Sequence, residues 1–218
     1  MLWLLLSRNR MPFSWVNAGG SFCNWMRSRP MSSQADTVPG SRLSVLLGVD
    51  ERGTALLRAL FVQSTGTLGI DGATLFDRLE VTGSFKEALG VSDNALEVLY
   101  ARAFQLIQTG HSSRAEDIFR ALCALDGEQV DFWLGYGICL RAREDNGQAM
   151  LAFDVAVKLA PDAPAPHLHR LELFIRTGRW EEAAEALALF DERADNAKDA
   201  SFPEAAAPFR KALEMRET

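Results

Sequence analysis

Cysteine and histidine are scarce in this chain, with three of each in 218 residues. The cysteines, at positions 23, 123 and 139, are odd in number, widely spaced and free of any Cys-x-x-Cys pair. That excludes a disulfide framework and a thiolate zinc site. Cys123 and Cys139 instead read as small buried apolar residues. His167 and His169 are one residue apart. On a helix they point roughly 200° from one another and cannot share a metal. A glycine-rich phosphate loop is missing too, because "LGYG" has neither the further spaced glycine nor the Lys-Ser/Thr that cradles phosphate. Nothing pairs a nucleophile with a base, and carboxylates such as Glu144-Asp145 and Glu181-Glu182 fall at polar faces or helix starts. The expectation is no enzyme, no cofactor and no metal.

Long hydrophobic runs are lacking as well. The membrane-like stretch Leu2-Trp3-Leu4-Leu5-Leu6 falls far short of the roughly 20 residues a spanning helix needs, so no membrane insertion is expected. Acidic residues are missing from residues 1–30, which carry Arg8, Arg10, Arg27 and Arg29. The net charge of -6 thus leaves -10 for the remainder (-6 minus +4). An acidic body is a poor partner for nucleic acid. Residues 1–50 read as a loosely ordered extension, with Met31 as an alternative start.

What the chain does have is a repeat. The stretches beginning "LEVLYARAFQLIQTGHSSRAEDIFRALCALDG" at Leu96, "VDFWLGYGICLRAREDNGQAMLAFDVAVKLAP" at Val130 and "PAPHLHRLELFIRTGRWEEAAEALALFDER" at Pro164 start 34 residues apart, twice (130 − 96 and 164 − 130). Each carries large, small and apolar positions in a first helix and Ala, aromatic, Ala in a second, the tetratricopeptide pattern. The middle unit has Trp133, Gly137 and Leu140, then Ala149, Phe153, Ala156 and Pro161. Gly costs roughly 1 kcal/mol inside a helix, so Gly137 implies a close approach by the second helix of its own pair, with Trp133 packed across that pair. Gly110 and Gly178 fall where the first helix must end in a left-handed turn.

The fold expected is all-α: a tetratricopeptide superhelix of three helix hairpins over residues 95–193, preceded by a helical region at 51–94 and closed by a capping helix at 194–218. Amphipathic helices are predicted at 54–63 and 73–80, with a further short turn from Ser84 to Leu89. A capping signature stands at Asn94 with Glu97. Ser201 opens the terminal helix, which Pro208 should interrupt.

In each first helix one apolar stripe is consumed by the partner helix: Leu99, Ala103 and Leu106 in the first unit, His167, Leu171 and Phe174 in the third. A second stripe faces the concave side. It comprises Tyr100, Phe104 and Ile107, then Leu134 and Ile138, then Leu168 and Ile175. Across units these would merge into a trough for an extended apolar peptide. Glu97, Asp131, Arg141, Glu172 and Arg176 line its edges and could orient a bound chain.

Over residues 83–193 the sequence resembles the class II tetratricopeptide chaperones of bacterial type III secretion, of the low-calcium-response, translocator-chaperone type. The marks are "LYARAFQ", "AEDIFRALCALD" and "FWLGYGICLRA", in that order. The resemblance implies a cytoplasmic bacterial chaperone that keeps hydrophobic translocator proteins soluble by gripping an extended segment near their N-terminus. It also implies a homodimer formed through the helices ahead of the first repeat. Carried over by position it selects Tyr100, Phe104, Leu134 and Ile138. The alternative is a generic tetratricopeptide scaffold or regulator that uses its convex face or its termini.

Overall fold

The computed structural model describes residues 48, 50–67, 69–197 and 201–217. The readings for residues 1–47, Met31 included, lie outside the described residues. Those described are helical, with no strand among them. The chain divides at Pro161/Asp162 into two compact units.

In the unit ending at Pro161 the helices are α1 (Glu51–Gly66), α2 (Gly72–Thr82), α3 (Phe85–Leu89), α4 (Asp93–Gln108), α5 (Ser112–Leu125), α6 (Val130–Ala142) and α7 (Asn146–Leu159). Short polar side chains start four of the first five. Asp50, Asp71, Ser84 and Ser92 each accept a hydrogen bond from a backbone N–H of the opening turn, satisfying donors that have no partner within the helix. The cap of α4 is therefore Ser92 and not Asn94. The expected helices at 54–63 and 73–80 run longer at both ends, and their earlier starts are set by Asp50 and Asp71.

Helices α4 with α5 and α6 with α7 form two hairpins, and α5 packs on α6 to stack them. The core between α4, α5 and α6 holds Leu96, Ala103, Leu106, Ala115, Phe119, Leu122, Phe132 and Cys139, all buried. Leu99, expected in this stripe, is 37% exposed. Leu96 takes its place, because Leu96 and Ala103, seven residues apart, align within about 20° on the helix and turn Leu99 outward.

Gly137 does admit the second helix of its own hairpin. A Cβ there would lie 2.4 Å from the Phe153 ring. Gly135 does the same for the preceding repeat, where a Cβ would meet the Phe119 ring at 2.2 Å. Two fully buried rings thus sit against bare backbone on α6. Trp133 is not in that core. Its half-buried ring donates its indole N–H to the Gly127 carbonyl at 2.8 Å, which fastens the turn leading into α6.

A polar link joins α5 to the end of α6. The Glu116 carboxylate, 2% exposed, accepts from Arg143 at 2.7 and 2.9 Å and from Arg120 at 2.6 Å. Burial raises its carboxyl, but the hydrogen bonds from Arg143 and then Arg120 outweigh that and hold it below its usual value.

The unit from Asp162 contains α8 (Pro164–Arg176), α9 (Trp180–Ala197) and α10 (Ser201–Glu217), each packed against the other two. Helix α10 runs through Pro208 without a break. The first-helix stripe of His167, Leu171 and Phe174 is buried here as expected.

The turn after each first helix repeats its geometry every 34 residues. Gly110 and Gly178 have φ of 79° and 74°, and Glu144 holds the same place at 65°. In each turn the next residue donates back across the helix end: His111 to Leu106, Asp145 to Leu140, Arg179 to Phe174, at 2.8, 3.0 and 2.9 Å. This is the Schellman arrangement, whose left-handed residue is cheap only for glycine.

Candidate functional site: an aromatic ledge on the first helices

The i, i+4, i+7 spacing on α4 sets Tyr100, Phe104 and Ile107 on one face, and all three are half-buried. Tyr100 is the centre of a ring cluster. It stacks on Phe104 with centroids 6.3 Å apart and planes 15° apart, meets Phe119 edge-on at 5.9 Å, and lies 6.0 Å from Phe132. Phe119 and Phe132 are core residues, at 1% and 5% exposure. The ledge is therefore anchored from beneath, and its outer rings are presented at little further cost in side-chain entropy.

On α6, Ile138 is half-buried, whereas Leu134 and Arg141 are buried. In the other unit Leu168 and Ile175 are buried at 1% and 6% exposure. Helix α8 buries Pro164, Pro166, His167, Leu168, His169, Leu171, Leu173, Phe174 and Ile175, so it is enclosed on nearly every side and its stripe has no open face. Among the eight residues singled out by spacing, the accessible ones are Tyr100, Phe104, Ile107 and Ile138. The edge residues Glu97 and Arg176 are exposed and Glu172 is half-buried.

Asp131 differs from the other acids of this face. It is 7% exposed, and burial, offset by no charge or hydrogen bond among the described residues, pushes its carboxyl up to about 7. On α6 it shares a stripe with Leu134 and Ile138, three and seven residues on. Cys123 and Cys139 are free thiols whose burial raises each to about 12, so neither is a nucleophile at neutral pH. Among the described residues no group of three or more His, Cys, Asp or Glu could hold a metal, and no helix is long and apolar enough to cross a membrane. The arrangement offers an apolar, aromatic contact surface and no reacting group.

No family model matches the chain. The low calcium response locus protein H of Yersinia pestis is 31% identical over 102 residues, 47% of this chain and 61% of that protein. The match thus spans less than two thirds of that relative's length. The type III secretion chaperone SycD of Yersinia enterocolitica, solved with a peptide of the translocator YopD, is 30% identical, with a TM-score of 0.53 over 57% of this chain and 94% of that one; SycD has also been solved as an alternative dimer. PcrH, solved with the chaperone binding region of PopD, is 28% identical, with a TM-score of 0.53 over 58% of this chain and 93% of that one.

Proposed function

The chain belongs to the tetratricopeptide translocator chaperones of type III secretion, and on that premise we propose that it holds a hydrophobic translocator in the bacterial cytoplasm by gripping an extended segment of it on the ledge of α4 and α6. The observation that carries this reading is the Tyr100 and Phe104 pair, stacked and half-open, with Tyr100 braced from below by Phe119 and Phe132. Exposed aromatic area that is already rigid binds apolar side chains without a large ordering cost. The apolar stripe continues through Ile107 and Ile138, with Leu134 as its buried member; Leu168 and Ile175, the matching positions of the other unit, are buried there. Arg141 at the end of α6 is assigned a role in orienting the guest. SycD is solved with a peptide of the translocator YopD and PcrH with the chaperone binding region of PopD, which supports a peptide segment as the occupant here. The chaperones of this family are not enzymes, in keeping with a site that has only contact surface to offer.

Residues 51–94 are assigned to self-association. Helix α1 buries none of its residues, and Leu56, Leu57 and Leu60 are 62%, 36% and 52% exposed. A second copy of the chain is the partner that would cover them. Residues 95–193 are assigned to the three repeats and 194–218 to the C-terminal cap.

Co-expression with the hydrophobic translocator of the same secretion system tests the main reading. The wild-type chain should keep that partner in the soluble fraction. Tyr100→Ala combined with Phe104→Ala should send it to the pellet while the chaperone keeps its helical circular dichroism. A folded double variant that still solubilises the translocator would remove the ledge from the mechanism.

A further inference from the structure

We infer that Asp131 is a specificity-determining residue of this surface, selecting a guest segment that brings a lysine or arginine to the start of α6. The inference rests on the peptide-holding reading above. Three observations support it. Asp131 lies on the stripe of α6 that contains Leu134 and Ile138, so it points with the apolar contact residues and not with the solvated face. It is more than nine-tenths buried, and among the described residues no charge or hydrogen bond offsets that burial. Arg141, the cation on the same stripe, stands ten residues along, about 15 Å at 1.5 Å per residue, too far to neutralise it.

The helix itself does not explain the residue. An acid in the first turn ordinarily stabilises the positive end of the helix while staying in water, which is a modest gain. Asp131 is in that turn but largely covered by the protein, and burial makes an unpaired carboxylate costly. A buried carboxylate that costs the fold stability, beside an apolar contact surface, is the pattern of a group kept for a ligand.

The ligand chemistry follows from what the carboxylate lacks. A backbone N–H of an extended guest would supply a hydrogen bond yet leave the charge uncompensated. A guest ammonium or guanidinium supplies both, and in a site shielded from water such a pair is strong. The acidic body of the protein, -10 outside residues 1–30, favours the approach of a cationic segment. The selected guest is therefore apolar along most of its length with one basic residue in register with Asp131, and an acid at that register is rejected.

The test uses the translocator that co-purifies with the full-length chain. Short overlapping peptides tiling it are made in native form and with each Lys and Arg changed to Gln, and their affinities are measured for wild type, Asp131→Asn and Asp131→Glu. One segment should bind wild type about tenfold better with its basic residue than with Gln. The preference should vanish in Asp131→Asn and persist in Asp131→Glu, while the affinity of the Gln form hardly changes. A preference of the same size in wild type and Asp131→Asn, or no preference in either, overturns the inference and leaves the peptide-holding reading intact. If no tiled peptide binds the folded wild-type chain, that reading fails first and takes this inference with it.

Discussion

At Asp131 burial carries the carboxyl from 3.8 to about 7, so the folded chain binds that proton more tightly than the unfolded chain does. Between those two values the native state holds the extra proton, and stability falls as pH rises through the window, with the full cost present above about 7. Asp131→Asn keeps the size and removes the charge. It should raise the free energy of unfolding at pH 8 by at most about 4 kcal/mol and by only a small part of that near pH 4, as read from urea titrations of both proteins. Equal gains at the two pH values would contradict the buried-charge account. Residue by residue, the sequence disclosed contacts made inside one hairpin. The close approach of the second helix at Gly137 could be read from the repeat, as could the common face of Tyr100 and Phe104, but not that the Phe153 ring makes that approach. It did not disclose Gly135 against Phe119, because that ring comes from the preceding hairpin, nor the burial of Asp131, because an acid in a first turn is normally solvated. Trp133 was misplaced for a related reason: its indole N–H finds the Gly127 carbonyl in the loop, and local periodicity carries no information on loop carbonyls.

Helices and their turns follow the 34-residue period closely, and one turn breaks the chemical rule that the other two obey. Glu144 occupies the left-handed position that Gly110 and Gly178 fill elsewhere. A residue with a Cβ pays about 1 kcal/mol or more there, part of which glycine returns through its freer unfolded chain. Glu144→Gly is therefore expected to stabilise by about 0.5–1 kcal/mol, seen as a higher thermal midpoint with unchanged helix content. A lower midpoint would mean that the Glu144 side chain does something this turn depends on. Existence of the helices was legible from apolar spacing, whereas their ends were not. Asp50, Asp71 and Ser92 lie outside the periodic residues and are identified only by the backbone N–H groups they accept from. The clasp of Glu116 by Arg143 spans 27 residues and joins two hairpins, so no pattern within a single repeat could reveal it.

For the whole molecule, what the sequence established was the order of its parts: a helical lead, repeats and a closing helix, on a strongly acidic body. The resemblance carried by "LYARAFQ" and "FWLGYGICLRA" led to the same family that the solved relatives indicate. Spacing alone could not show that α8 is enclosed, since enclosure depends on what surrounds a helix and not on the helix's own pattern. The exposed leucines of α1 make association the property to test at this scale. Leu56→Glu with Leu60→Glu should shift the chain to a monomer in size-exclusion chromatography with light scattering, and the ledge should still bind its peptide. An unchanged mass would move the interface elsewhere. Helix α1 has no buried residue and is tied down by the Phe61–Phe76 ring contact and the Arg58–Asp77 ion pair. Its amide hydrogens should therefore exchange with deuterium well ahead of those of α5 or α6 in dilute solution, and slow as the protein is concentrated, so that a helix that unravels early is also the part that reports how many copies are together.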